Sequence, residues 1–380
     1  AMNPVPGANV EIDKKSSGPV DPWLKRAQDA FSRSTTYFDN NIRKRMEADL
    51  KMFQSQHPPD SKYHSDEYKF RSKLFRPKSR SVLRKNEATA ALAFFSNPDV
   101  MSIDPGNPDD QGQVMSSALV KELMQYRLTK SIPLFLTAIG AFQDSMNVGL
   151  VASLQHWRFR QVMEKQTVQA ATLTGETVEV EMDQPRVLED VPCIELFPIE
   201  NIRFDAAAQW FNVAKTSPYL ILQMPMYIGD ILDRMETMDS QGNKWKKYDK
   251  SVIRQCKVDA DDSLRMARDG NQESKYEAGG KENEFDVAMV HLNFIRKGHD
   301  IHCYYTLGDK HLLTDPLLLK EMFPHCKEDE PPVVIGFCVI ETHRTVPSSL
   351  IGLGSPLQRE LNENVNSRQD NVKFILNKRT

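Results

Sequence analysis

The chain has 380 residues, of which 40% are hydrophobic and 27% are charged, and its formal net charge is −3. This length is sufficient for two or three domains with a sizeable core, and the composition is typical of a soluble globular protein. The slightly acidic balance excludes a generally basic nucleic-acid coat.

Three further features exclude other classes of protein. The most apolar stretch, SIPLFLTAIGAF, contains Pro133 and Gly140 and is shorter than the roughly 18 residues that a membrane helix needs, so we expect no membrane segment. The N-terminal residues lack the apolar centre of a signal peptide, and we expect none. Five scattered cysteines predict no disulfide framework and favour a reducing compartment.

Residues 1–19 are rich in Gly, Pro, Ser and Lys, which predicts a flexible N-terminal arm. A helix is predicted next, with Asp21 as its N-cap and Pro22 at its first position. Its apolar residues recur at helical spacing up to Tyr37, and the pattern continues or restarts from Ile42 to Phe53.

The most basic part of the chain is the window 69–85, which contains no acidic residue. Its eight cations are Lys69, Arg71, Lys73, Arg76, Lys78, Arg80, Arg84 and Lys85. One interpretation is a solvated connector whose Leu74, Phe75, Val82 and Leu83 are anchored in the core. The other is a contact with a polyanion or with an acidic neighbouring subunit. Phe70 and Phe75 could stack on single-stranded bases, but the pattern favours core anchors.

Three helices are predicted after this window. The first contains NEATAALAFFSNPD and stops at Asn97-Pro98, and the second covers about 111–129. The third, about 133–153, is apolar nearly all round, so we expect it to be buried.

The pattern changes to strands from about residue 157. Alternation around a Thr-Gly turn predicts a hairpin in WRFRQVMEKQTVQAATLTGETVEVEM, and DVAMVHLNFIRKGHDIHCYYTLGDKHLL predicts a three-stranded meander. PPVVIGFCVIETHRT is predicted as one more strand, 225–237 as a helix, and about 239–284 as a polar mixture of surface helix and loop. Helices, then strands, then one long helix predict an α+β fold.

No motif gives positive evidence of an enzyme. The His and Cys residues between His299 and His343 include the adjacent pairs His302-Cys303 and His325-Cys326, whose side chains point to opposite faces of a strand. Ordinary half-buried strand residues are therefore favoured over a zinc site. GLGSPL lacks the remaining residues of a nucleotide-binding loop. We predict no catalytic activity, no metal and no cofactor.

The C-terminal helix is unusually polar. Ser355 is its predicted N-cap and Pro356 its first residue, with two preceding glycines allowing a sharp turn. Its narrow apolar seam is formed by Leu357, Leu361, Val365, Val372 and Ile375. The polar remainder, including Asn362 and Asn366, predicts faces that meet water, while the seam packs on a neighbouring copy or on the chain itself.

The order of several segments resembles the portal proteins of tailed bacteriophages, especially the head-to-tail connectors of short-tailed phages. IGLGSPLQRELNENVNSRQDNVKFILNKR is similar to their long stem or tunnel helix, and FRSKLFRPKSRSVLRKNEATAALAFFSN to the segment that clamps a subunit into its ring. AFQDSMNVGLVASLQHWRF and PCIELFPIENIRFDAAAQW resemble the helical wing and the strand after it. The likeness covers most of residues 60–380.

The resemblance implies a portal-type division of the chain. It consists of an arm (1–19), a helical wing region (20–156), a β-rich wing and clip region (157–345) and a stem or tunnel helix (346–380). The sequence stops where such portals continue into a crown, so these 380 residues hold no crown region; either the chain is truncated or the protein departs from the family here.

The implied function is non-catalytic. Portal subunits form a ring, usually of twelve, at one capsid vertex of the virion after assembly in the host cytoplasm. Double-stranded DNA passes through the channel, and the implied partners are the terminase large subunit, the major capsid and scaffolding proteins, and tail or adaptor proteins. The resemblance implies that Lys373, Lys378 and Arg379 face the channel as weak phosphate contacts, and that the seam packs between subunits. The alternative is a nucleic-acid-binding protein that uses the window 69–85.

Overall fold

The computed structural model describes residues 21–96, 101–171, 177–236, 244–258, 262–270, 285–327 and 329–377. The predicted N-terminal arm lies outside these ranges. The described part has a mixed α+β fold, as the sequence predicted. None of its helices combines the length and apolarity that a bilayer crossing requires.

The N-terminal helical pair agrees with the prediction. Helix α1 (Pro22–Phe38) begins where the backbone N–H of Trp23 donates to Asp21 Oδ1 at 2.8 Å. A π-helical turn at 39–43 joins it without a break to α2 (Lys44–Phe53).

Three helices follow in the chain: α3 (Lys78–Phe95), α4 (Gln111–Tyr126) and α5 (Leu134–Val148). The expectation that residues 133–153 form a buried helix was wrong in two respects. Phe135 and Leu136 at the start of α5 are exposed, and only the last turn, Ser145–Val148, is buried. The helix also ends early, because Gly149 adopts a φ of 90°, and a Cβ there would lie 2.6 Å from the Pro347 carbonyl oxygen.

A long antiparallel hairpin begins two residues later. Strand β1 (Val151–Ala171) pairs with β2 (Thr177–Phe197), with a bulge between Arg160 and Gln161. The predicted Thr-Gly turn lies outside the described residues. A short strand, β9 (Val333–Gly336), pairs with β1 only over residues 151–154, so PPVVIGFCVIETHRT is a strand for four residues only.

The second sheet holds most of the core. Its six strands are β3 (Ile202–Phe204), β4 (Tyr219–Tyr227), β5 (Val287–Lys297), β6 (Asp300–Leu307), β7 (His311–Leu312) and β8 (Leu317–Leu318). Strands β3 to β7 lie in that order and β8 pairs with β6. The meander β5–β6–β7 was predicted, and Gly298 and Gly308, both with positive φ, form its two turns. Helix α1 covers this sheet, and the Tyr304 hydroxyl donates to the Trp23 carbonyl oxygen at 2.8 Å.

Among the described residues, five short helices follow strands of this sheet in the chain. They are α6 (Val213–Thr216), α7 (Ile228–Glu236), α8 (Lys250–Arg254), α9 (Ser263–Asp269) and α10 (Leu319–Met322). The helix predicted over 225–237 is shorter than expected, because residues 225–227 belong to β4. The polar segment predicted at 239–284 contributes α8 and α9, and its residues 239–243, 259–261 and 271–284 lie outside the described ranges.

Helix α9 is held to the body by buried charges. Arg268 forms ion pairs with Glu200 at 2.7 Å and with Asp144 at 2.6 Å, and Glu200 is buried. Burial lowers the pKa of Arg268, but the charges of Glu200 and Asp144 outweigh burial and raise it, so the guanidinium stays charged. This docking places part of the polar segment against α2 and α5.

The C-terminal helix, α11 (Leu350–Asn377), starts earlier than predicted. Ser349 acts as its cap, because its Oγ accepts from the backbone N–H of Gly352 at 2.7 Å. The prediction of Ser355 as N-cap and Pro356 as first residue was therefore wrong, and Pro356 lies inside the helix. The start is displaced because Ser349 is also tied to the body, donating to Asp49 Oδ2 at 2.7 Å.

Candidate functional site

An extended segment of the basic window lies along α11, and we call residues 71–77 the strap. Every second backbone N–H of the strap donates to a side chain of α11. Ser72 donates to Asp370 at 2.8 Å, Leu74 to Asn366 at 2.8 Å and Arg76 to Asn362 at 3.0 Å. Just beyond the strap, Ser79 donates to Gln358 at 3.0 Å. We call these four α11 residues the polar ladder.

The amide groups of the ladder also return hydrogen bonds to the strap. Asn366 Nδ2 donates to the Leu74 carbonyl oxygen at 2.9 Å, and Gln358 Nε2 donates to that of Arg76 at 2.6 Å. Gln358, Asn362 and Asn366 are buried as a result. A side-chain amide can both donate and accept, which suits it to pairing with a peptide group.

The ladder can form because the spacing of its residues along α11 nearly matches the spacing of every second amide along the strap. Its residues recur every four positions, and four residues of α-helix rise about 6 Å. Two residues of extended backbone span about 6.6 Å, so successive strap amides meet successive helical turns. Backbone recognition therefore explains why Asn362 and Asn366 stand in α11.

The opposite side of the strap is held by aromatic packing. The ring centroid of Phe75 lies 5.3 Å from that of His57, which is 4.2 Å from that of Tyr63. These rings line a cavity of about 230 Å³ between the end of α2 and α11. Burial lowers the pKa of His57, which favours the neutral ring beside the carbonyl oxygen of Lys73.

The eight cations of the window, which we call the cationic strip, are all exposed. Within the described residues only Arg84 has an acidic ion-pair partner, Glu87, at 2.8 Å. Arg80 and Arg84 stack over the Phe53 ring at 5.5 Å, and Arg71 lies over Tyr68 at 5.2 Å. The fold thus fixes the backbone of the strip while it leaves the charges accessible.

The predicted hydrophobic anchors of this window were only partly correct. Leu83 is buried and Phe75 half-buried, whereas Leu74 and Val82 are exposed. Phe70 was expected to be a core anchor, but it is 94% exposed. The hydrogen bonds of the ladder hold the strap, so it needs few apolar contacts.

The burial of α11 is reversed relative to the prediction. The polar ladder, expected in water, faces the strap, while much of the predicted seam is outside. Leu357 is 72% exposed, Val372 and Ile375 are exposed, and Leu361 and Val365 are half-buried. Their role between subunits stays a prediction.

Helix α4 shows the same inversion more completely. None of its residues is buried, and its half-buried stripe is polar, consisting of Ser117, Lys121 and Gln125. Its apolar residues face outward, with Met115 at 78% and Leu119 at 69% exposed, next to exposed Leu123 and Tyr126. An apolar face turned to solvent is a mark of an interaction surface.

The cations that the resemblance assigned to a channel are not gathered into a described site. Lys373 Nζ donates to Ser72 Oγ at 2.9 Å, so it extends the ladder by one turn. Lys378 and Arg379 lie outside the described residues. The channel role of all three stays a prediction.

Over the part of the chain that the structure describes, His, Cys, Asp and Glu side chains do not gather in threes as a metal site would require. His302 stacks on Trp23 with 4.6 Å between ring centroids, while the neighbouring Cys303 is buried on the other face of β6.

Sequence reasoning missed the polar ladder, although a signal was present. Gln358, Asn362, Asn366 and Asp370 recur every four residues, which places them on one face of a helix. That face becomes a binding surface only when an extended segment with regularly spaced backbone amides lies against it, and the sequence does not show which segment does so.

No family model matches the chain, and no curated protein is similar to it. The assignment of function therefore depends on the residues and the geometry described above.

Proposed function

We propose that this chain is a portal subunit, a head-to-tail connector that assembles into a ring at one vertex of a phage capsid. Rings of that family usually have twelve copies. Duplex DNA would pass through the bore during packaging and ejection. The terminase motor would dock on the ring first, and tail or adaptor proteins later. The order of the resembling segments supports this proposal.

The outward apolar face of α4 is the observation that carries the proposal. This helix half-buries its polar residues Ser117, Lys121 and Gln125. It exposes its apolar residues Met115, Leu119 and Leu123 to water, which is unfavourable for a monomer. Covering its apolar side chains would contribute roughly 5–10 kcal/mol before entropy is subtracted.

A ring also needs a second, different apolar surface, because head-to-tail contacts join unlike patches. The outer side of α11 supplies a candidate, with Leu353, Leu357, Val372, Phe374 and Ile375 exposed. Two separate apolar faces on one chain are compatible with a closed ring of identical copies.

Negative-stain imaging of the purified protein, together with light scattering after size exclusion, tests the proposal. We expect particles with rotational symmetry and a central pore. A monodisperse monomer at high concentration would contradict it.

A further inference from the structure

The polar ladder does not use the charges of the cationic strip. The ladder binds only backbone groups of the strap, at Ser72, Leu74 and Arg76, so the Lys and Arg side chains between and beside them are not needed for docking. The fold would accept uncharged residues at Lys73, Arg76 and Lys78, which are exposed. Their charges therefore call for a separate explanation.

The strip is concentrated and rigidly presented. The strap spans about 20 Å if extended, and the first turns of α3 continue the row of cations. Seven of the eight cations have no acidic ion-pair partner within the described residues. In a chain of net charge −3, such a strip produces a local positive field on an otherwise acidic protein.

We infer that the cationic strip binds the phosphate backbone of duplex nucleic acid. A duplex offers about twelve phosphate charges along 20 Å of its axis, a continuous line of anions that matches a line of cations. Lys and Arg on a fixed backbone suit sequence-independent phosphate contacts. Binding of a free duplex by this surface does not require ring assembly, so it can be tested separately from the proposed function.

An acidic segment of a second copy is a poorer occupant. The most acidic long stretch in the sequence is on β2, whose Arg186 binds Glu164 of the neighbouring strand at 3.2 Å. Nearer the body, Glu195 already binds Arg158 at 3.0 Å. The hairpin therefore supplies cations to its own acids.

The first test neutralises the strip. We expect the triple variant Lys73→Gln, Arg76→Gln and Lys78→Gln to weaken binding of a 30-base-pair mixed-sequence duplex, measured by fluorescence anisotropy at several salt concentrations. Losing three phosphate contacts should lower the log–log salt slope by about 2.7 and the affinity at 0.1 M salt on the order of 100-fold. The control neutralises three other exposed cations, Lys25, Lys44 and Lys165, and should change little.

The second test keeps every charge and releases the strap. Asn366→Ala removes both ladder bonds to Leu74, whereas Asn364→Ala changes an exposed Asn two residues away. In Asn366→Ala, one or two residues of the strap should be released and would have to be ordered again when the duplex binds. We therefore expect its affinity to be about tenfold weaker, with an unchanged salt slope. The affinity of Asn364→Ala should equal that of the wild type.

Several outcomes would overturn the inference. One is that the wild type does not bind duplex at 50 mM salt. Another is that the strip variant and its control lose the same amount of duplex affinity. A third is that the two Asn variants bind duplex with equal affinity. Tighter binding of poly-L-glutamate than of duplex would assign the strip to an acidic protein. A selective loss of single-strand binding in Phe70→Ala, without duplex binding, would assign it to base stacking. If rings fail to form while the duplex results hold, only the proposed function falls.

Discussion

At the scale of single residues, Asp49 is a buried carboxyl at the start of α11. It is 3% exposed, accepts a hydrogen bond from Ser349 Oγ at 2.7 Å and lies beneath the first turn of α11. Gly352 permits this approach, since a Cβ there would be 3.3 Å from Asp49 Oδ2. Burial raises the pKa of Asp49 to about 6, against the smaller opposing effects of Ser349, Arg45 and Arg359.

This carboxyl should make stability depend on pH. Its folded pKa of about 6 lies above its unfolded value near 3.8, so its stabilising contribution is complete at low pH and is lost as pH rises through 6. We expect Asp49→Asn to be more stable than the wild type at pH 7.5 by on the order of 2 kcal/mol, and the advantage to shrink towards pH 4. Urea unfolding of both proteins at constant ionic strength measures it. An advantage that is the same at both pH values would disprove this origin.

At the scale of elements, the pairing of the strap with α11 explains why a long helix carries Asn362 and Asn366 on its inner face. Asn disfavours a helix by a few tenths of a kcal/mol, whereas each of these two side-chain amides satisfies backbone groups of the strap. The helix and the strap therefore stabilise each other, and the polar stripe of α11 is explained only by the strap that lies against it.

Replacing one ladder residue should loosen the whole strap. We expect Asn366→Ala to lower the free energy of unfolding by about 2 kcal/mol, because the N–H and C=O of Leu74 lose their partners. Hydrogen exchange should accelerate at the amides of Ser72, Leu74 and Arg76. The matched control Asn364→Ala should be neutral or slightly stabilising, since Ala is the better helix former. Equal stability of the two variants would show that the ladder contributes nothing.

At the scale of the whole molecule, α4 and α11 present exposed apolar faces, which are the surfaces that the proposed ring would use. Both helices turn polar stripes inward and apolar residues outward. A monomer gains nothing from this arrangement, whereas an assembly covers the apolar residues.

A single charge on the outer face of α4 should therefore block assembly. We expect Leu119→Glu to convert a large assembly into monomers, because the contact would have to bury an unpaired carboxylate. Light scattering after size exclusion measures the mass. Ala118→Glu adds the same charge about 100° round the helix and should leave the assembly intact. Loss of assembly in both variants would point to general charge repulsion rather than to this face.

Much of the fold could be predicted because the signals were local. Asp21 and Pro22 marked the start of α1, and the positive-φ glycines 298 and 308 marked the turns of the meander. The start of α11 was predicted six residues late, because Ser355-Pro356 satisfied the local rules for a helix start while a tertiary contact from Ser349 to Asp49 extended the helix backwards.

The sequence by itself determined the α+β class, the long hairpin, the meander and the concentration of eight cations in the window 69–85, because these depend on periodicity, turn residues and charge along the chain. Only the tertiary structure decided which face of α4 and α11 is covered. A stripe of Asn on a helix is solvated or buried according to what lies against it, and here the backbone of a segment almost 300 residues away supplies the missing hydrogen-bonding groups.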